Sequence, residues 1–295
     1  MTNSTALLLL PLGAIFGSSF LFMRVAAPEL GPIAVAEGRV GVAALALALA
    51  VGPRDLRVLA TEWRGYLVLG LFNVAIPFAL ISFAEVTISA SLAALLNATV
   101  PMFAVIVGAI WLRQRLTAKR LTAVVTGLVG VGVLVGWSPI ELTPATILAA
   151  AAMLSATASY AIGLTYARRR FAGVPPVHSA AGQTMAATVI LAPLALLTLP
   201  SAPPSLEAAA SVLTLGLLCT AFAWPLLFRL LGAFGPTAAS TVTFLAPVFG
   251  VTWGALFLAE PLGPEMLVGG AVIAVSLLLI FDIRLPGQRQ VTAAR

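Results

Sequence analysis

Glu37 and Arg39 sit two residues apart in a stretch, Pro32–Val51, that is otherwise apolar. Ionisable side chains inside such a run are costly, and they persist where a partner or a use holds them. Positions two apart on a helix do not face each other, so carbonyls or an acid on a neighbouring helix are the expected partners of Arg39. Other apolar runs carry hydroxyls, amides and rings: Ser18 and Ser19, Asn73, Phe78, Ser82 and Phe83, Asn97, Ser155, Ser159 and Tyr160, Trp224, and Thr241 and Thr243. Hydroxyls and amides can hydrogen-bond a carboxylate or an ammonium group, while rings take up an apolar part or face a cation. That is the chemistry of reversible small-molecule binding. Ser and Thr also pack helices and bond back to their own carbonyls. The amide of Asn97 costs more to bury without a partner, so it leads these candidates.

Covalent chemistry fits the same residues poorly. Gly17-Ser18-Ser19 and the single His178 suggest a serine nucleophile and its base. His178 falls at the start of an apolar run, where it reads as a hydrated helix-end residue, and a base must lie within hydrogen-bond reach of its nucleophile. The single Cys219 excludes an intramolecular disulfide and a Cys-based metal site. Neither a cofactor nor a metal is expected, and the chain does not read as an enzyme.

Ten hydrophobic segments must position these groups: Thr5–Met23, Pro32–Val51, Trp63–Ala84, Thr87–Leu112, Ala118–Gly136, Pro144–Tyr166, Pro176–Leu199, Ala208–Leu230, Pro236–Leu258 and Pro264–Phe281. Each approaches the roughly 20 residues that cross a hydrocarbon core about 30 Å thick. Hydrophobic residues make up 61% of the chain, charged residues 9%, and the mean hydropathy is +1.09, which excludes a water-soluble fold. The expected fold class is an all-α integral membrane protein with ten transmembrane helices and no soluble domain. Pro77 and Pro225 each free a carbonyl inside a segment and mark bends that could act as hinges.

Charge orients the chain. With a cytoplasmic N-terminus, every Lys and Arg falls inside except Arg24, in an outside loop, and Arg39, within a segment. Glu29, Glu85, Glu141, Glu207, Glu260 and Glu265 fall outside. Lys/Arg bias sets orientation, so both termini are expected in the cytoplasm and the chain in a bacterial inner membrane. The net charge of +6 comes from juxtamembrane clusters suited to anionic lipid rather than nucleic acid. The first run lacks a basic n-region and reads as an uncleaved helix.

The two halves, residues 1–137 and 138–295, repeat. Placing Pro101 over Pro247, an offset of 146, aligns Trp111–Leu121 (WLRQRLTAKRL) with Phe257–Leu267 (FLAEPLGPEML). Gln114 and Lys119 then fall on Glu260 and Glu265, and the same loop is basic in one half and acidic in the other. An odd number of helices per repeat inverts the second copy, as this charge flip requires. Glu37–Ala44 (EGRVGVAA) likewise resembles Ala181–Thr188 (AGQTMAAT), pairing Arg39 with Gln183. Inverted repeats supply two near-equivalent packings, the basis of alternating access.

ASLAALLNATVPMFAVIVGAIWLRQRLT and GPTAASTVTFLAPVFGVTWGALFLAEPLG resemble the fourth and ninth helices of the EamA family, in the drug/metabolite transporter superfamily. There, small residues, an apolar stretch and Pro precede a helix ending near Leu-x-Glu-x-Leu. Gly13–Ala26 (GAIFGSSFLFMRVA) is similar to the family's first helix, with Phe16 in place of its usual Trp, and Arg39 resembles a frequent Arg in its second. The resemblance covers the whole chain. It implies ten helices, cytoplasmic termini and export of small metabolites; the bacterial exporters of amino acids, aromatic amino acids and methyl viologen are the most similar branch. Small multidrug transporters, more distant relatives, use a membrane-embedded Glu in helix one, and Thr5–Met23 contains none. That favours a neutral or zwitterionic cargo, amino acids above all. Nucleotide-sugars, purines and lipophilic cations are the alternative cargoes; a phosphate would demand more embedded cations than Arg39. A monomer suffices for this scheme, and the oligomeric state stays open.

Overall fold

The computed structural model describes residues 3–136, 143–200, 202–234 and 236–281; the side chains of 3–8, 230–241 and 243 lie outside that description. Glu141 and the basic tail from Asp282 onward also lie outside it. In chain order the helices are α1 (Asn3–Leu30), α2 (Pro32–Val51), α3 (Pro53–Thr61), α4 (Trp63–Glu85), α5 (Ala90–Asn97), α6 (Val100–Trp111), α7 (Ala118–Gly136), α8 (Pro144–Arg170), α9 (Pro176–Leu197), α10 (Leu206–Gly216, Leu217–Phe222 and Ala223–Phe234), α11 (Pro236–Phe257) and α12 (Pro264–Phe281). Among the described residues, nine spans are long and apolar enough to cross a membrane, and a tenth apolar stretch, Phe244–Leu258, belongs to α11.

Local chemistry sets the boundaries. Pro opens α2, α3, α8 and α9 at the first turn, where its missing N–H costs nothing. The side chains of Ser89, Thr143 and Ser205 cap α5, α8 and α10. Gly31 and Gly52 turn the chain at φ 80° and 83°, where a Cβ is disfavoured.

Several boundaries differ from the sequence reading, among them α10, which runs from Leu206 to Phe234 rather than from Ala208 to Leu230. Helix α1 runs to Leu30, so Arg24 and Glu29 lie in the helix, not in a loop; Arg24 donates to the carbonyls of Glu85 and Val86, and Glu29 accepts from Ser205. Helix α8 continues through Arg168–Arg170, cations that complement its C-terminal dipole. The expected helix Thr87–Leu112 is two helices, broken at Ala98–Thr99 just before Pro101. The short α3 lies where a loop was expected.

The two halves repeat in three dimensions at the offset of 146. Among the described residues, Arg113 and Ala259 are the non-glycine residues with positive φ, 51° and 52°, each closing a helix the same way. Gln114 N and Glu260 N both donate 3.2 Å back to the glycine carbonyl six residues earlier, Gly108 and Gly254. A π-helical turn, Leu71–Ala75 in α4 and Leu217–Phe222 in α10, falls at matching places, each before a proline, Pro77 or Pro225. Packing follows the same inverted symmetry: α1 lies on α10 and α11, α8 on α4, α5 and α6, while α2 meets α9 and α7 meets α12.

Glycines set the closest crossings. A Cβ on Gly70 would stand 2.7 Å from the Gln183 carbonyl, and one on Gly216 would stand 3.0 Å from the Arg39 carbonyl. These are the same contact in the two halves, and Arg39 and Gln183 are the pair aligned from sequence.

Candidate substrate cavity

One face of α1 repeats at helical spacing, with Phe16, Ser19, Phe20 and Met23 turned to the interior. Together with Arg39, Phe78 and Ile81, Asn97, Tyr160, Trp224, Ala246 and Pro247, they line a cavity of about 160 Å³ between the two halves. A cavity of about 150 Å³ is enough to admit a benzene ring.

Arg39 is 3% exposed and supplies the charge. Its Nε donates to Thr220 Oγ1 at 2.8 Å, and Nη2 donates to the Cys219 carbonyl at 3.4 Å. Its guanidinium lies 3.8 Å from the centre of the Phe78 ring, which meets Tyr160 edge-on. Among the described residues, no carboxylate forms an ion pair with it. The expected carbonyl partner is therefore present, while Glu85 of neighbouring α4 acts on the guanidinium only at longer range, without an ion pair. The cation is anchored by the π turn of α10 yet keeps N–H groups for a ligand.

Three residues on three other helices that line the same space each carry a buried polar atom without a hydrogen-bond partner among the described residues: Ser19 Oγ, Asn97 Oδ1 and Trp224 Nε1. Native structures rarely leave such atoms idle. Trp224 is fixed edge-on to Phe16 and tilted against Phe228.

The remaining sequence candidates go elsewhere. Asn73 is buried and donates 2.8 Å to Gln183 Oε1, joining the π turn of α4 to α9 just as Arg39 joins α2 to that of α10. Ser159 donates 2.7 Å to the Phe72 carbonyl, which the same π turn frees. Ser18 bonds back to Ile15 and faces a separate groove between α1, α10 and α11. Ser82 is buried but does not line the cavity. Phe83 and Ser155 are exposed on the outside of the bundle, because helix rotation aims them away from the interior. Glu37 does not line the cavity, and His178 pairs at 3.2 Å with Asp55 of α3. The side chains of Thr241 and Thr243 lie outside the described residues. Met23, Leu164, Leu227, Val242, Ala246 and Pro247 line the cavity unforeseen. The Phe16–Met23 spacing on α1 could have pointed to Met23; nothing polar marks the others.

The model of the EamA-like transporter family matches residues 3–136 and again residues 147–282. The chain belongs to that family. It is a membrane transporter and not an enzyme. This EamA-like transporter is 29% identical to Protein PecM of Dickeya dadantii over 231 residues, 77% of this chain and 76% of PecM. It is 27% identical to a probable terminal-alkyne amino-acid exporter of Streptantibioticus cattleyicolor over 280 residues, 90% and 89% of the two chains. An uncharacterised transporter of Archaeoglobus fulgidus is 24% identical over 270 residues, 90% of this chain and 94% of its own. A solved crystal structure with a TM-score of 0.64 and 20% identity covers 95% of this chain and 96% of that one, which shows the shared fold.

Proposed function

We propose that this transporter exports amino acids or similar small zwitterionic metabolites by alternating access, through the cavity between its two five-helix repeats. The observation that carries this reading is one buried cation, Arg39, in a ring-sized space also lined by Ser19, Asn97 and Trp224, each of which holds an unpartnered polar atom. A substrate carboxylate pairs with the Arg39 guanidinium. Its ammonium group faces Asn97 Oδ1 and Ser19 Oγ, and its side chain lies among Phe16, Phe78, Tyr160 and Trp224. A cationic cargo would meet Arg39 as a like charge, which disfavours quaternary amines. The amino-acid exporter among its relatives supports the same cargo class. The basic ends of the helices face the cytoplasm of a bacterial inner membrane, where they meet anionic lipid. Pro77 and Pro225, with the π turns before them, are the hinges.

Proteoliposomes carrying the protein should exchange zwitterionic amino acids. Asn97→Ala, Tyr160→Ala and Trp224→Ala should each slow flux while the protein stays folded. Parental flux in all three variants rejects the site.

A further inference from the structure

Inverted repeats build the two ends of the cavity from matched parts, and one set of parts here is mismatched. At the acidic end Glu260, just after the left-handed residue Ala259 that closes α11, reaches across to the start of α5 in the other repeat. Its Oε1 accepts from Ala90 N at 2.7 Å; its Oε2 accepts from Ser91 N at 2.9 Å and from Ser91 Oγ at 2.6 Å. A helix N-terminus offers unpaired N–H groups and the positive end of the helix dipole, so a carboxylate binds there strongly. Gly254 makes the room: a Cβ on it would stand 2.5 Å from both Glu260 Oε2 and Ser91 Oγ. The offset of 146 carries Glu260 onto Gln114, Ala90 onto Pro236 and Ser91 onto Thr237. Gln114 is neutral, its Oε1 lies 3.5 Å from Arg120 Nη1 in its own hairpin, and Pro236 has no N–H to donate. The basic end therefore lacks the carboxylate and one of the three donors it would take.

We propose that Glu260 is a one-sided clasp that holds the acidic end shut and biases the resting transporter toward opening at its basic end. The proposal deepens the alternating-access reading and rests on it. Opening the acidic end moves α11 off α5 and breaks all three hydrogen bonds, so each cycle must release the clasp. Two equivalent repeats alone would leave the two states close in energy; an asymmetric contact sets their ratio. Glu260 does not line the cavity, so it acts as a positioning residue.

The test places a cysteine at Met23 in a Cys219→Ser background and applies a membrane-impermeant maleimide to each face of oriented vesicles. The parent should label from the basic face and poorly from the acidic face. Glu260→Gln should raise acidic-face labelling on the order of tenfold, the change expected from losing a charge-assisted hydrogen bond. Gly254→Ala should do the same with Glu260 retained, and Ser91→Ala should give a smaller shift in that direction. Gln114→Glu with Pro236→Ala, which supplies the missing parts, should lower basic-face labelling. Parental labelling in folded Glu260→Gln and Gly254→Ala overturns the clasp. Labelling needs no substrate, so shifted labelling together with no amino-acid flux through the protein that keeps Met23 and Cys219 upholds the clasp and rejects the cargo, while flux without a shift rejects the clasp alone.

Discussion

Replacing Arg39 with Met separates what this residue does for the fold from what it does for a ligand. The guanidinium is 3% exposed and forms no ion pair among the described residues, Glu85 acting on it only at longer range. Its removal forfeits a cation–π contact with Phe78, about 2 kcal/mol when desolvated, and a hydrogen bond to Thr220 of about 1 kcal/mol. Thr220 stays satisfied through its bond to the Leu215 carbonyl. Against that loss stands the several kcal/mol of desolvation that a buried charge costs, now relieved. The net effect on stability should be small or positive, with a melting temperature in detergent within about 5 °C of the parent. Binding should behave in the opposite way. A carboxylate held by two charge-assisted hydrogen bonds loses about 3 kcal/mol, an affinity drop of roughly 150-fold. Equilibrium binding of a labelled amino acid to the purified protein measures it, with the corresponding amino-acid amide as control. The amide, which keeps the ammonium but not the carboxylate, should bind the variant at least as well as the parent, because Arg39 opposes it as a like charge. If acid and amide weaken by the same factor, or neither weakens, Arg39 does not hold a carboxylate.

Other outcomes follow from the packing. Gly70→Ala drives a Cβ to 2.7 Å from a backbone oxygen and should cost about 1–3 kcal/mol, read as a lower thermal midpoint; a parental midpoint would mean the α4–α9 crossing is looser than described. Asn73→Leu and Gln183→Leu should each destabilise by about 1–2 kcal/mol, and the double variant by less than their sum, because the two amides share one hydrogen bond. Strict additivity in that cycle would deny the pair. Phe83→Ala and Ser155→Ala, on the outer surface, should leave substrate flux at the parental rate; a loss comparable to that of Trp224→Ala would put them on the pathway.

The sequence already carried the spans, the repeat and the pairing of Arg39 with Gln183. Its offset of 146 reappears in the backbone at Arg113 and Ala259, in the two π turns and in the crossings at Gly70 and Gly216. Hydropathy and proline placement are local, so they survive folding. What a residue faces is not local. Arg24 and Glu29 read as loop charges, yet backbone carbonyls and Ser205 satisfy them at the end of a longer helix. Ser155 and Tyr160 were indistinguishable as polar groups on α8, but neighbouring helices set its rotation and turn Ser155 outward. Asn73 looked like a ligand and is a structural tie, because its partner lies 110 residues away. The apolar lining of Leu164, Val242 and Ala246 carries no sequence signature at all.

The inversion of the two repeats is most directly tested by labelling cysteines placed at Arg115 and at its counterpart Pro261, both exposed. An impermeant thiol reagent should reach position 115 only from the cytoplasmic face of the membrane and position 261 only from the opposite face. Labelling of both positions from one face would contradict the architecture on which the cavity depends.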